Sequence, residues 1–448
     1  MAEGKLLRVV PRKEVFALAF GAMIGWSWVA LSGHWIAGAG SLGAMLAFLA
    51  GGVAVIFVGF TYAELASAMP QAGGEHVYSH RALGPRAAFI CTWAIVLGYT
   101  SVVAFEAVAL PTVVEYLVPG FSRGQLWTIA GWDVKFTWVL VGVVAAIVMT
   151  LINILGIRTA ARLQLLVTVV ILLAGMALAG GSLVSGSAAN MQPYFEHGAK
   201  GLLGVLVMVP FMFVGFDVIP QSAEEVDMPF REIGTTLMLS IITAVAWYSV
   251  IIWAVASGLD EAGREASPLP TADAAVAVLG GAWAGKLLVI GGIGGILTSW
   301  NAFLIGGSRA LYAMARAGQL PAAFGRLHPR FNTPHNAILL IGAMSLIAPF
   351  FGRPAMVWLV DAGGLGIVVA YAFVAASFIV LRNREPEMER PYAVRRWRFT
   401  GYSALLLSLA LVTLYLPFSP AALVWPYEWA IVAGWALLGA VLLAFRRR

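Results

Sequence analysis

The sequence predicts an all-α polytopic membrane protein with twelve transmembrane helices, of which the first and the sixth are discontinuous. Hydrophobic residues make up 60% of its 448 residues and charged residues only 11%, whereas charged residues are about 25% of soluble globular domains. Apolar runs of about 20 residues, each long enough to cross a bilayer as a helix, recur along the chain. Two of these runs are interrupted by glycine, proline or an acid. The composition excludes a soluble globular domain, and the interruptions indicate a site inside the membrane.

The apolar runs between polar segments give the expected spans. They lie near 15–39, 42–68, 87–117, 137–155, 163–185, 201–221, 234–257, 286–312, 336–352, 356–381, 399–418 and 425–445. The N-terminal segment is polar and the first apolar run is full length, so we expect no cleaved signal peptide. The single cysteine, Cys91, excludes an intrachain disulfide and a multi-cysteine metal site. No cofactor is expected.

The basic residues predict the orientation of the spans. With a cytoplasmic N-terminus, 22 of the 28 lysines and arginines fall on the inner side. The six on the outer side are Arg123, Lys135, Lys200, Arg264, Lys286 and Arg353. The positive-inside rule therefore predicts a multi-pass protein of the cytoplasmic (inner) membrane with both termini in the cytoplasm. The same assignment explains the basic pI without a nucleic-acid partner.

The glycines of the first span include Gly21, Gly25 and Gly33. Glycine weakens a helix by about 1 kcal/mol relative to alanine, so the segment Gly-Ala-Met-Ile-Gly at 21–25 is expected to unwind. Unwound backbone in a membrane is tolerated where it is buried in protein or lines a cavity. Its carbonyl groups can bind a cation, and the N–H groups of the following half-helix can bind an anion. The alternative is that Gly21 and Gly25 form a small-xxx-small packing face.

The sixth span is interrupted as well. Its segment 207–220 includes Pro210, Gly215, Asp217 and Pro220. Because proline removes an amide donor and clashes with the preceding turn, this helix is expected to break or kink.

Interrupted segments at corresponding places in two halves of a chain point to a transporter's binding site. The first and sixth spans fit this description, which predicts two five-helix repeats of opposite orientation. The expected divisions are a cytoplasmic N-terminus at 1–14, a first repeat at 15–185, a second, inverted repeat at 201–381, two further helices at 399–445 and a cytoplasmic tail at 446–448.

Three acids within or beside the spans need separate interpretations. Glu106 lies deep in the third span, where an acid costs a few kcal/mol and must face the protein interior with a partner. It is either a proton or amine site, or a structural carboxyl bonded to a hydroxyl such as that of Thr100 or Ser101. Glu64 and Glu75 lie at the inner end of the second span. There we expect a local hydrogen bond or salt bridge that holds the turn rather than a contact with substrate.

Six motifs follow one another at the ends of the expected spans. They are Gly21-Ala22-Met23-Ile24-Gly25, Tyr62-Ala63-Glu64-Leu65 through Pro70-Gln71-Ala72-Gly73-Gly74, Phe213-Val214-Gly215-Phe216-Asp217, Ala223-Glu224-Glu225-Val226 with Pro229, Ser308-Arg309-Ala310-Leu311-Tyr312-Ala313-Met314-Ala315 through Gly318, and Leu381-Arg382 with Glu385-Pro386 and Arg390-Pro391-Tyr392. In this order they resemble the motifs of amino acid-polyamine-organocation (APC) permeases over most of the chain. The resemblance implies a LeuT-like fold of two inverted five-helix repeats plus two additional C-terminal helices. It also implies a secondary active transporter that works by alternating access.

The resemblance further implies a substrate site at the two interrupted helices. In similar permeases the carboxylate of an amino acid lies on N–H groups after the first-span glycine, here those of Trp26, Ser27 and Trp28. The ammonium group lies on carbonyl groups of both unwound segments, an aromatic of the sixth span, here Phe211, closes over the substrate, and the acid matching Asp217 is a candidate proton or amine partner. The expected substrate-binding residues are Ala22, Met23, Ile24, Gly25, Trp26, Ser27, Trp28, Glu106, Phe211, Phe213, Val214, Gly215, Phe216, Asp217 and Trp300.

One departure from the family pattern concerns the substrate. The small Ser-Gly pair usual after Gly25 is replaced by Trp26-Ser27-Trp28, whose bulk puts an ordinary α-amino acid in doubt. Two acids in the spans, with no lysine or arginine in the middle of any span, fit an organic amine, and a tryptophan could add a cation–π contact of about 0.5–2 kcal/mol. The alternative is that both tryptophans pack against neighbouring helices.

A second departure concerns coupling. Proton-coupled relatives place a lysine in the fifth span that mimics a sodium ion, and this chain has apolar residues and threonine around Ile171. Coupling by Na⁺, coupling by protons and exchange without an ion therefore all stay open, and no metal is assigned with certainty. The expected residues for a coupling ion or proton are Gly21, Ala22, Glu106, Asp217, Thr298 and Ser299.

The rival functions are a membrane-embedded enzyme and a channel. The sequence contains no HExxH, no G-x-x-x-x-G-K-[ST] and no G-x-S-x-G motif, and its acids are isolated rather than arranged as a repeated filter. The sequence therefore predicts a permease for an amino acid or a small organic amine. Its expected partners are this small molecule and the lipid bilayer, with no nucleic acid, and the oligomeric state is not predicted.

Overall fold

The computed structural model describes residues 10–445, and for residues 157–164 it describes the backbone alone. Residues 1–9 of the expected N-terminal segment, the tail at 446–448 and the basic side chains of Arg158 and Arg162 lie outside the described residues.

The first part of the described chain, up to residue 191, is mostly helical. Its helices are α1 (Arg12–Ile24), α2 (Ser27–Ala30), α3 (Ser32–Ala39), α4 (Ser41–Ala68), α5 (Glu75–Leu83), α6 (Pro85–Leu117), α7 (Phe136–Leu155) and α8 (Ile157–Ser185), with a 3₁₀ turn at Ala188–Met191. Its strands are β1 (Val10–Pro11), β2 (Gln125–Ile129) and β3 (Trp132–Lys135). β2 and β3 pair antiparallel as a hairpin between α6 and α7.

The second part repeats this mostly helical composition. Its helices are α9 (Gly198–Phe213), α10 (Val218–Gln221), α11 (Phe230–Gly258), α12 (Glu261–Ala266), α13 (Pro270–Leu279), α14 (Ala282–Arg316), α15 (His335–Ile347), α16 (Ala355–Arg384), α17 (Trp397–Leu414) and α18 (Tyr427–Ala444), with 3₁₀ turns at Ala223–Glu225, Ala322–Gly325 and Ala348–Phe351. The strand β4 (Val226–Asp227) pairs parallel with β1. The start of the described chain is thereby attached to the segment that follows α10.

The helices confirm an all-α polytopic membrane protein. Among the described residues, ten helices are long and apolar enough to cross a membrane, and an eleventh span is formed if the bent pair Arg12–Ala30 and Ser32–Ala39 counts as one. The segment His335–Phe351, at the expected ninth span, is apolar but shorter. The class is therefore established, and the total of twelve stays a prediction.

The long helices divide into central and peripheral ones. α6 packs along α14 and α16, and α4 packs along α11. In the most apolar 18-residue window of α6, 83% of the residues are buried, against 17% in α18. The exposed side chains of α7 and α8 are largely leucine, valine and isoleucine, and those of α18 are largely alanine, as expected of surfaces that face lipid. The third span thus lies at the centre of the molecule, where Glu106 requires a protein partner.

Candidate substrate-binding site

The two interrupted helices touch at their breaks. α1 ends at Ile24, and Gly25 follows with a φ of +30°, which residues with a side chain rarely adopt. In the sixth span, residues 214–217 separate α9 from α10, and Gly215 has a φ of +133°. A Cβ atom on Gly215 would lie 2.8 Å from the Cβ of Ala22 and 2.9 Å from the Met23 nitrogen. The missing side chain therefore lets the two backbones meet, and the expected segments 22–25 and 213–217 form one site.

The first break begins later than the sequence predicted. Residues 21–24 stay helical, and the Gly25 N–H donates to the Gly21 carbonyl at 3.1 Å. The expectation that the whole segment 21–25 unwinds is therefore wrong for its first four residues. The cost of glycine in a helix, about 1 kcal/mol, is small beside the packing of α1 against α8, α11 and α14.

A buried tyrosine of α11 connects the two sides of this break. The Tyr248 hydroxyl donates to the Met23 carbonyl at 2.7 Å. Since a tyrosine has one hydroxyl proton, the Ser27 hydroxyl is the donor in its 2.8 Å contact with Tyr248. The carbonyl of Met23, which the family pattern would place at a substrate ammonium, is thus already bonded to the protein. Sequence reasoning missed Tyr248, because no local pattern in α11 marks it.

Both tryptophans after the break pack against helices. Trp26 is buried over α14, where a Cβ on Gly292 would lie 1.9 Å from its ring. Trp28 meets Trp247 edge to face at 5.4 Å, and its indole N–H donates to the Gly25 carbonyl at 3.2 Å. These contacts agree with the alternative that both tryptophans pack against neighbouring helices. The N–H groups of residues 26–28 still begin a new helical segment, where first-turn amides have no intrahelical acceptor.

Glu106 faces the first break from α6. Its side chain is buried, and Oε1 accepts a hydrogen bond from the Ser299 hydroxyl of α14. A Cβ atom on Gly25 would lie 3.4 Å from this Oε1. The second oxygen, Oε2, has no hydrogen-bond partner within residues 10–445. The expected partners Thr100 and Ser101 are wrong, because the hydroxyl that binds Glu106 comes from another helix.

Asp217 lies in the second break, in different surroundings. Its Oδ1 accepts the Gly215 N–H at 2.8 Å, and Oδ2 is buried without a partner among the described residues. Its side-chain neighbour on α6 is Tyr99, seven residues before Glu106 and so about 10 Å away along the helix. The structure therefore separates the two acids that the sequence grouped together. Glu106 lies at the first break, and Asp217 lies nearer the end of α6 that follows α5.

The expected aromatics line the two breaks by packing on one another. Phe213 contacts Phe48 and Tyr248, with ring centroids 6.0 and 5.5 Å apart. Phe216 contacts Tyr62 at 5.2 Å. Phe211, expected to close over the substrate, lies between Phe105 of α6 and the backbone of α16.

Two further expected residues, Val214 and Trp300, are also buried. The indole N–H of Trp300 has no acceptor in the described chain. The predicted break of the sixth span lies after Pro210, which is inside α9, and the helix ends three residues later.

The expected coupling residues approach the carbonyl groups of α1. Thr298 donates to the Gly21 carbonyl at 3.2 Å and to the Gly295 carbonyl at 3.0 Å. Ser299 instead contacts Glu106 and its own helix. In the fifth span, Thr168 donates to the Ala17 carbonyl at 3.4 Å. These hydroxyls and carbonyls are ligand types that a small hard cation accepts.

The connection between α11 and α14 covers the site. The helix α13 lies over the first break, where Thr271 donates to the Trp28 carbonyl at 3.0 Å and contacts the Ser32 hydroxyl at 2.5 Å. Pro270 packs so closely on Gly33 that a Cβ there would lie 2.4 Å away. The site is closed on this side, so substrate can enter from here only if α13 or the outer part of the first span moves.

Glu64 and Glu75 differ despite their similar place in the sequence. Glu64 binds Arg382 at 2.6 Å and Arg390 at 3.1 Å. It therefore forms a salt bridge, but not the expected local one within the turn, because its partners come from α16 and the segment after it. Glu75 makes no ion pair in the part of the chain that the structure describes, and its Oε2 accepts a hydrogen bond from Gln221 of α10. Glu75 thus makes the hydrogen bond of the two expected alternatives, but with the distant α10 rather than within the turn, because α5 folds inward and buries the side chain completely.

Comparison with known proteins assigns the family. The family model described as amino acid permease matches residues 12–441. The chain is 26% identical to the branched-chain amino acid permease of Bacillus subtilis (strain 168) over 87% of its own length and 84% of that protein.

Two more relatives from the same organism have other names. The methylthioribose transporter is 27% identical, with 87% of this chain and 84% of the relative covered. The aspartate-proton symporter is 26% identical, with coverages of 89% and 78%. The family model covers nearly the whole chain and these relatives are transporters. The chain therefore belongs to the amino acid permease family of the APC superfamily, and it is a membrane transporter of small molecules rather than an enzyme.

Proposed function

We propose that this transporter carries an amino acid or a small organic amine across the cytoplasmic membrane by alternating access, with both termini in the cytoplasm. The substrate binds where the breaks of the first and sixth spans meet. The distribution of lysines and arginines supports the orientation, and the closed outer side of the site supports alternating access.

The observation that carries the proposal is the free oxygen of Glu106. A carboxyl buried at this depth requires a partner, and Ser299 supplies a hydrogen bond to one oxygen only. The same carboxyl lies against Gly25, beside the amides that begin α2. An ammonium group bound here would complete the hydrogen bonding of Glu106, and a carboxylate on the same substrate would reach the amides of residues 26–28.

The substrate class follows from this single acid. Glu106 selects a positively charged nitrogen, and the packed tryptophans leave little room beside it. The names of the relatives include two amino acid carriers and one carrier of methylthioribose, so the scaffold accommodates chemically different molecules. We propose a substrate with one ammonium group and a short or absent carboxylate arm.

The proposed coupling uses a cation. Thr298 and the Gly21 carbonyl form one candidate position for Na⁺, and the carboxyls of Glu106 and Asp217 can carry a proton. Exchange of substrates without an ion is the alternative that the same experiments address.

The test is a stability screen of the purified full-length protein against amines and amino acids, with and without Na⁺. A ligand at one hundred times its dissociation constant stabilises the folded state by about 2.7 kcal/mol. We expect stabilisation by a compound with an ammonium group and its loss in Glu106→Gln. The control is Glu115→Gln, the same change at the outer end of the same helix.

The outcomes separate the candidates. Stabilisation by amines without a carboxylate would identify an amine carrier, and stabilisation only by α-amino acids would identify an amino acid carrier. Stabilisation that persists in Glu106→Gln would show that the site lies elsewhere.

A further inference from the structure

A second group of buried polar side chains lies beside the break of the sixth span, away from Glu106. We call it the inner carboxyl cluster. It consists of Glu75 of α5, Asp217 of the break, Gln221 of α10 and the tyrosines Tyr62, Tyr99 and Tyr371. All six side chains are almost completely buried.

The cluster contains more hydrogen-bonding capacity than its members use. Gln221 donates to Oε2 of Glu75, whereas Oε1 of Glu75 and Oδ2 of Asp217 have no partner in the described residues. The Tyr371 hydroxyl is also buried without a partner there, and the hydroxyls of Tyr62 and Tyr99 lie beside the carboxyls of Glu75 and Asp217. Buried polar atoms are bonded in the great majority of native structures, so a cluster with this many open positions points to an occupant.

The charges around the cluster are all of one sign. Its titratable neighbours come from α4 (Tyr62), α5 (His76 and Tyr78), α6 (Cys91 and Tyr99), the break (Asp217) and α16 (Tyr371). Neither carboxyl makes an ion pair with a lysine or arginine between residues 10 and 445. Burial lowers the pKa of His76 to about 4, so this ring is neutral at pH 7 and supplies no positive charge.

Two ionised carboxylates without a counter-charge would be strongly unfavourable in such a place. Burial raises the pKa of Glu75 well above its usual value, and the nearby charge of Asp217 raises it further. Groups that interact in this way lose their protons in two steps that belong to the pair. The cluster is therefore most stable with a proton or another small cation.

We propose that Glu75 and Asp217 form a proton-binding pair that holds one proton between them and carries the coupling proton of this transporter. The proton leaves one carboxyl as water reaches the cluster, and the pair then carries two negative charges. The tyrosine hydroxyls and Gln221 solvate the charge that the singly protonated pair retains. This inference rests on the proposed transport function, and it assigns coupling to a site separate from Glu106.

The position of the pair fits this role. Asp217 is bonded to the backbone of the break through Gly215, and Glu75 is bonded to α10 through Gln221. In addition, the Gly73 N–H just before α5 donates to the Gln221 carbonyl at 3.2 Å. A change in the charge of the pair therefore acts directly on the inner half of the interrupted sixth span.

The test is infrared difference spectroscopy of the full-length purified protein, which reports the carbonyl stretch of protonated carboxyls. We expect Glu75→Gln and Asp217→Asn each to remove one protonated carboxyl at neutral pH, and the double variant to remove no more than either alone. Glu64→Gln is the matched control, since Glu64 is equally buried but paired with Arg382 and Arg390, and its removal should leave this signal unchanged. Full retention of the signal in both single variants would overturn the proposal.

Thermal unfolding as a function of pH gives a second readout. A carboxyl whose pKa is raised on folding keeps its proton in the folded state while the unfolded chain has already lost it. The wild-type protein should therefore lose stability as the pH rises from the unfolded value of about 4.3 through the higher pKa of Glu75 in the folded protein, and this decline should be smaller in Glu75→Gln. The same decline in Glu75→Gln would contradict the proposal.

Sodium provides the remaining comparison. If NaCl stabilises the wild-type protein at constant ionic strength but not Glu75→Gln, the pair binds a metal cation and the proton proposal is wrong. The substrate proposal is tested separately. It expects stabilisation by a ligand to be lost in Glu106→Gln and to persist in Glu75→Gln.

Discussion

Glu64 and Glu75 show how burial without a counter-charge changes what a carboxyl can do. Both lie near the end of α4, and both are almost completely buried. Arg382 and the Val394 N–H donate to Oε2 of Glu64, and Arg390 forms an ion pair with its Oε1, so this acid connects α4 to α16 and the segment after it. Glu75 has a neutral amide as its partner.

The arginine-paired acid should matter for stability. In Glu64→Gln, Arg382 and Arg390 lose their counter-charge in a largely buried place, and breaking such a pair typically costs about 3–5 kcal/mol. We expect a loss of this size in the free energy of unfolding, measured by denaturant titration in mixed micelles. The control is Glu385→Gln, because its pair with Arg81 is partly exposed and should contribute at most about 1 kcal/mol. Equal losses in the two variants would contradict this interpretation.

The local environment of Glu106 was only half predictable. Its depth in an apolar run was enough to predict that the side chain is buried and bonded. The partner Ser299 could not be predicted, because it is 193 positions away in the sequence and meets α6 only through the packing of α14. The local candidates Thr100 and Ser101 were wrong for the same reason.

At the scale of elements, the contact between α14 and the first break depends on small residues. Gly292 lets Trp26 approach α14, and Gly295 lets the Gly25 carbonyl do so, with a hypothetical Cβ only 2.1 Å away. Glycines permit such close packing because they carry no side chain. The structure shows that what they admit is the first break itself.

Neighbouring glycines in α14 give a matched pair of variants. In Gly292→Ala the new Cβ would lie 1.9 Å from the buried Trp26 ring, so we expect destabilisation of about 1–3 kcal/mol by overpacking. In Gly291→Ala the nearest atom is 3.4 Å away, and alanine should be neutral or stabilise the helix by about 0.5–1 kcal/mol. Melting temperatures of the two purified variants would test this, and a similar melting temperature for both would contradict the role assigned to Trp26.

The sequence predicts which two spans are interrupted, but not the residues at which their helices end. Glycine and proline identified the first and sixth spans, because these residues weaken or interrupt helices in any context. Where each helix ends depends on tertiary contacts: α1 continues to Ile24 because its neighbours support it, and α9 includes Pro210. The two inverted repeats stay a prediction, because the end points of α1 and α9 agree with them but do not test them.

For the whole molecule, we propose that two tasks are divided between two carboxyl sites. Glu106 lies at the first break below α13, and the inner carboxyl cluster lies beside the second break next to α10. Such a separation lets substrate binding and proton binding act on different ends of the interrupted helices. A ligand shifts a conformational equilibrium only by its difference in affinity for the two states, and each site touches a segment that must move.

The measurement that tests the central claim most directly is saturable uptake by proteoliposomes of the compound identified in the stability screen. We expect Glu106→Gln to reduce uptake by about tenfold or more, because a hydrogen bond to a charged group contributes about 1.5–3 kcal/mol, while Glu115→Gln retains it. Uptake that is equal in wild type and Glu106→Gln would contradict the assignment of the substrate's ammonium group to the meeting point of the two breaks.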